Sequence, residues 1–143
     1  MKTFTRILIP TLVLAFFSVT AFGQQALYNS LNKRMAILYK NGKIMEAIAT
    51  AREVVKVAED TFGNNHAYYS ASLENLALLY VADGRNEMAA DLYEQSYKVR
   101  ESILGKNNPR LKSVLEKLEK CYEAMRAEDK VESVKARMAS LQS

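Results

Sequence analysis

Residues 73–109 read LENLALLYVADGRNEMAADLYEQSYKVRESILGKNNP. Leu73, Leu76, Ala77 and Tyr80 fall on one face of a helix, the pattern breaks at Asp83-Gly84, and Ala89, Leu92, Tyr93 and Ser96 resume it. That spacing marks a buried helical face, and a glycine between two such faces marks a turn. The stretch therefore predicts two amphipathic helices joined tightly into a hairpin. The chain contains relatives of this hairpin. Gly42 and Gly84 stand 42 residues apart, and Gly63 and Gly105 repeat the offset. So do Leu31 and Leu73, Ala47 and Ala89, Lys56 and Lys98, Val57 and Val99, Glu59 and Glu101, and Asn65 and Asn107. One further step takes Leu73 to Leu115, Leu76 to Leu118 and Tyr80 to Tyr122. An internal repeat of this length predicts an all-α solenoid of three antiparallel helix hairpins, six helices in all.

The order of residues within the unit adds a family. Leu73, Leu76-Ala77, Tyr80, Gly84 and Ala89 together resemble the tetratricopeptide repeat (TPR), whose common form has a period of about 34 residues. The longer period here, with residues 103–109 between units, resembles the kinesin-light-chain subgroup and its leucine-glycine-x-x-histidine-proline linker. Residues 63–66 keep the histidine, His66, but have Ala67 in place of proline; residues 105–109 keep Pro109 and have Asn108 in place of histidine. The resemblance covers nearly everything after the first two dozen residues. It implies a right-handed solenoid that binds other proteins.

The 143 residues, 49% apolar and 25% charged, fit one soluble domain, and the absence of Trp with few Gly and Pro fits an all-helical one. The first 23 residues read differently. Lys2 and Arg6 precede an apolar run over 7–19, and Ala21-Phe22-Gly23 is a small-x-small cleavage pattern. This predicts a secretory signal peptide, residues 1–23, cleaved after Gly23, with a TPR-like domain over 24–143 and units at about 27–60, 69–104 and 110–141. The apolar run is shorter than the ~20 residues that span hydrocarbon, so cleavage is expected over a retained anchor. No cysteine stands at the cleavage point, which disfavours a lipoprotein. The expected location is periplasmic or secreted, with no stable membrane insertion once the signal is gone. Lys2 and Arg6 are the only charged residues of the leader, so its removal takes the formal net charge from +4 to +2. Charges of both signs interleave along the rest, and no basic stripe with aromatics points to nucleic acid.

Helices are expected over 26–40, 44–60, 68–82, 86–104, 110–125 and 129–141. In the first, Leu27, Leu31, Ile37 and Leu38 are expected inward; in the last, Val131, Val134, Met138 and Leu141. The third unit departs from the pattern: Glu119 replaces the alanine at 77, Arg126 the glycine at 84 and Val131 the alanine at 89. Terminal repeats meet water on their outer face, so a capping repeat is expected. The alternative is a helix whose exposed 131–141 face pairs with a second chain. Cys121, the only cysteine, excludes an internal disulfide and reads as a small packing residue, with an intermolecular disulfide as the alternative.

Catalytic constellations are missing. His66 is the only histidine, so a two-histidine metal site is impossible, and GxSxG, CxxC and Walker-type loops do not occur. Glu116, Glu119 and Glu123 share a helix face with Lys112, Lys117 and Lys120 nearby, the pattern of a solvated face. No enzyme activity, metal or cofactor is expected. In the family the chain resembles, the first helix of each hairpin lines a concave groove that holds partner peptides. The corresponding positions are Asn32, Lys33, Ala36, Tyr39 and Lys40; then Glu74, Asn75, Leu78 and Val81; then Glu116, Lys117, Lys120 and Glu123. Lys33, Asn75 and Lys117 occupy equivalent places and form a row of donors, the resemblance implying that Asn75 contacts peptide backbone. The carboxylate clamp of chaperone-binding members is matched only in part, since Asn32 and Ala36 replace a lysine and an asparagine. Leu78 and Val81 would be exposed apolar residues in that groove. The expected function is a non-catalytic protein- or peptide-binding scaffold exported from the cytoplasm, its partner an unidentified protein or peptide. The alternative is a structural protein that self-associates through its C-terminal helix, as a homodimer for instance.

Overall fold

A computed structural model describes the backbone of residues 8–141 and the side chains of residues 23–141. Six helices follow one another: α1 (Leu8–Lys40), α2 (Ile44–Phe62), α3 (Ala67–Ala82), α4 (Asn86–Leu104), α5 (Lys112–Ala124) and α6 (Glu128–Ser140). A 3-10 turn, Pro109–Leu111, leads into α5. Each helix packs on the next in the chain, α1 on α2 through to α5 on α6, as a stack of hairpins requires. The expected helix ends hold to within a few residues except at the start, where α1 continues upstream of residue 26 to Leu8. The expected leader, residues 1–23, thus has its first seven residues and nearly all its side chains outside the described part. Among the described residues no helix is long and apolar enough to cross a membrane.

The hairpin turns are built alike. At the first, the Gly42 and Lys43 amides donate to the Tyr39 and Leu38 carbonyls. One repeat on, Gly84 donates to Val81 and Arg85 to Tyr80; at the next, Arg126 donates to Glu123 and Ala127 to Tyr122. This is the Schellman arrangement, which satisfies the last carbonyls of a helix and needs a left-handed residue. Gly42 and Gly84 take φ of +73° and +77°, and Arg126 takes +56° without glycine's freedom. The entries to α3 and α5 repeat as well. His66 Nδ1 accepts from the Tyr68 amide at 3.1 Å, and Asn108 Oδ1 accepts from the Arg110 amide at 2.9 Å. Histidine and asparagine thus cap helices at equivalent positions, and Pro109 fills the first turn, where a missing N–H costs nothing. His66 also stacks on Phe62, with ring centroids 5.2 Å apart.

The core runs through all three hairpins. Ala47, Ala51, Ala58, Ala77 and Ala89 are wholly buried, and their small size lets helix backbones approach closely. In α1 the inward stripe is Tyr28, Leu31, Met35 and Leu38. Leu27 and Ile37, expected inward, are exposed. They sit on the face that in α3 and α5 packs against the preceding hairpin, and no described hairpin precedes α1. In the third unit an ion pair takes the place of apolar packing. Glu119 stands where Ala77 lies and Lys135 where Tyr93 lies, and the two meet at 3.4 Å. The apolar stripe of α6 is turned inward: Val134 and Leu141 are buried, and Val131 and Met138 are packed against the core. The 131–141 stripe is therefore packed inside the stack and is not the exposed face that pairing through it would require. Cys121 is buried as a packing residue, and burial pushes its thiol above the ordinary range.

Arg126→Gly should relieve the left-handed strain and raise stability by about 0.5–1 kcal/mol, read as a higher urea midpoint at unchanged slope. The Cys121 thiol should resist alkylation in the folded protein and react at the rate of a free thiol once unfolded.

Candidate binding face

Alternate helices α1, α3 and α5 form one side of the stack. Tyr28 ties α1 to α3, accepting at its hydroxyl from Ser72 Oγ at 3.3 Å. Lys117 ties α5 to α3 through the Glu74 carboxylate at 2.6 Å. The 42-residue step then sets the residues of this side in rows: Lys33, Asn75 and Lys117; Ala36, Leu78 and Lys120; Tyr39, Val81 and Glu123. Tyr39, Leu78 and Val81 are exposed apolar side chains, and Ala36 is exposed beside them. The α1–α3 end of the face is thus an apolar strip, and the α5 end is charged, with Lys120, Glu116 and Glu123 in solvent. Lys33 and Lys40 are exposed at the edge of the strip. Asn32 and Asn75 are half-buried, and Asn32 Nδ2 donates to the Tyr28 carbonyl at 2.9 Å.

Glu74, expected on the groove surface, is buried instead. Its Oε1 accepts from Ser96 Oγ at 2.9 Å, the Arg100 guanidinium stands against it, and Lys117 closes the other oxygen. Ser96 is itself bonded to Ser70 Oγ at 3.0 Å. A carboxylate inside a helical stack is tolerable only with such a set of partners. Because those partners come from α4 and α5, Glu74 on α3 pins the second hairpin together and joins it to the third. Lys117 is therefore committed to structure, while Lys33 has no such anchor among the described residues. The sequence contained a signal for this: Ser70 and Glu74 are four apart on α3, opposite Ser96 and Arg100, four apart on α4.

Tyr93 lies beside this cluster, with Lys117 Nζ 5.9 Å from its ring centre. Burial first, and then the negative fields of Cys121 and Glu74, push the Tyr93 phenol up to about 12. Tyr122 is raised as well, by burial first and then by its hydrogen bond to Glu94. Among the described residues no group of three His, Cys, Asp or Glu side chains could hold a metal ion.

The tetratricopeptide-repeat family matches residues 27–102, more than half of the chain. The chain belongs to that family. Members are typically non-catalytic scaffolds that bind other proteins. Its fold is similar to crystal structures of a Podosopora anserina protein described as a kinesin light chain with nearly identical TPR-like repeats. Two of these give TM-scores of 0.68 and 0.67 at 23% identity, over 80% of this chain and 54% of that one. BtubC (BKLC) from P. vanneervenii gives a TM-score of 0.73 at 15% identity, over 82% of this chain and 46% of that one. The TPR chain thus spans about half the length of the solved proteins it resembles, and at these identities the likeness is one of fold. No protein of curated function matches it.

Glu74→Gln should destabilise the fold by about 2 kcal/mol. The loss falls short of that for a fully buried pair because Arg100 and Lys117 still reach water. Stability should also fall as pH rises. Cys121, Tyr93 and Tyr122 have folded pKa values above their unfolded ones, so their contribution is complete below about pH 8.5 and is lost above it as the unfolded chain ionises first. Urea midpoints at neutral and alkaline pH measure the loss.

Proposed function

We propose that the protein is an exported, non-catalytic scaffold that holds an extended peptide segment of a partner protein on the α1/α3/α5 face. The observation that carries this reading is the exposed strip of Ala36, Tyr39, Leu78 and Val81, flanked by Lys33, Lys40 and the amide of Asn75. Apolar surface concentrated on one face, with polar groups at its edge, is the form of a protein-binding site. Asn75 can both donate to and accept from a peptide backbone, which fixes register, while alternate apolar side chains of the peptide rest on Leu78 and Val81. The two lysines favour a segment with acidic residues toward the α1 end. Export follows from the leader pattern of residues 1–23, whose cleavage would release the repeats outside the cytoplasm.

The test is affinity capture from native envelope extract, using protein expressed with its own leader and purified from the producing cells. Asn75→Ala/Leu78→Asp, checked by circular dichroism for full helicity, runs beside it. Proteins held by the wild type and lost by the variant place the interface on this face. Equal retention would move it to the α2/α4/α6 side. The intact mass of the purified chain reads the leader directly: loss of residues 1–23 supports export, and a full-length chain contradicts cleavage.

A further inference from the structure

The three hairpins copy one another closely enough for a contact in one to locate its counterpart in the next. Arg52 on α2 hydrogen-bonds the Tyr80 hydroxyl on α3, and one step on, Tyr122 on α5 hydrogen-bonds Glu94 on α4. Turn bonds and helix caps recur at the same offset. The third hairpin therefore offers counterparts of several contacts by which the first and second hold their successors. A fourth hairpin in the same register would bring to those places the counterparts of residues in α1 and α2.

Three such crossings can be written down. The Glu74–Lys117 bridge joins successive first helices at 2.6 Å. One step on, Glu116 would face the position held by Lys33, Asn75 and Lys117 in the three units. Among the described residues, exposed Glu116 has only Lys112 at 3.9 Å, and exposed Lys33 makes no hydrogen bond or ion pair. Arg85 reaches Met45 Sδ at 3.6 Å between the first and second hairpins. Two steps on, Asp129 would face the position of Arg85, which in the first unit is Lys43. Among the described residues Lys43, just before α2, is held only by the exposed Glu46 in the first turn of that helix. The Arg52–Tyr80 crossing becomes Ala136 opposite Leu38, apolar on apolar. The two charged crossings carried forward are thus opposite in sign and the third is apolar on apolar, while the Arg137–Glu101 pair falls, one step on, at residue 143, outside the described residues. Alongside them, Leu27 is 47% and Ile37 60% exposed, whereas their counterparts in the third unit, Leu111 and Cys121, are 0% and 1%.

We infer that copies of this chain stack head to tail, the α5/α6 end of one on the α1 face of the next, with Glu116 paired to Lys33 of the second copy. The bare Leu27 and Ile37 at one end, and charges of opposite sign at the two ends, suit a second copy better than water. The contact is heterologous, so it leaves a free end at each side and grows as an open row instead of closing as a symmetric dimer. It is weaker than the internal contacts because Arg34 stands where Leu76 and Leu118 are buried. The Arg34 stem can still lie across Ala136 and Ala139 with its head in water.

The test is sedimentation velocity from low to high micromolar concentration on the chain as purified from its producing cells. The wild type should gain mass beyond a dimer as concentration rises. Lys33→Glu and Glu116→Lys should each weaken association about tenfold, about 1.4 kcal/mol. The double variant Lys33→Glu/Glu116→Lys should restore it, as should mixing the two single variants. Both residues are exposed, and circular dichroism checks the fold; Lys33→Gln and Glu116→Gln give a milder pair should a reversal disturb it. A monomer at every concentration, a dimer that grows no further, or reversals without effect would overturn the inference. Asn75→Ala/Leu78→Asp should associate as the wild type does, which separates this contact from the apolar strip of the peptide face, Lys33 bordering both.

Discussion

The left-handed residue at the end of each first helix, with the amide bond five residues back that follows it, is the constraint on which the stack depends. It reverses the chain at a fixed angle, so alanines such as Ala47 and Ala89 meet the preceding helix at zero exposure. Were the turn wider, those alanines would face gaps instead of close contacts, and the next hairpin would not find its seat. Keeping the turn at Arg126, where the backbone is disfavoured, shows the third hairpin bound by the same geometry without the residue that makes it easy.

Structure and function are divided along the α1/α3/α5 side. Glu74 and Lys117 bind the second hairpin to the third, so the charged end of that side is partly consumed in holding the stack. The apolar end has no such duty. Tyr39, Leu78 and Val81 leave much of their apolar surface in solvent, which makes them candidates for a partner.

The repeat, the six helices and the turns were legible because they rest on local rules: helical spacing, glycine at left-handed positions and proline at a helix start. The inward face of α1 was less so. Leu27 and Ile37 fit a buried stripe by hydropathy, but the face they occupy has no described hairpin against it. Periodicity reports which residues share a face; it does not report whether a neighbour covers that face. Glu74 shows the same gap at the candidate site. Its position one residue past the leading leucine suggested a groove residue, while Ser70, Ser96 and Arg100, distant in sequence, draw it inside. The cap formed by His66 was readable as a helix-entry role, and Asn108 at the equivalent position performs it equally well.

Amide hydrogen exchange at Lys43, Arg85 and Ala127 tests the central claim, that one turn geometry builds all three hairpins. Each amide closes the same bond, to Leu38, Tyr80 and Tyr122 respectively. The account predicts clear protection at all three, with Ala127 protected despite the arginine before it. Exchange of Ala127 at the rate of an unstructured amide, with Arg85 still protected, would contradict it and reduce the solenoid to two units.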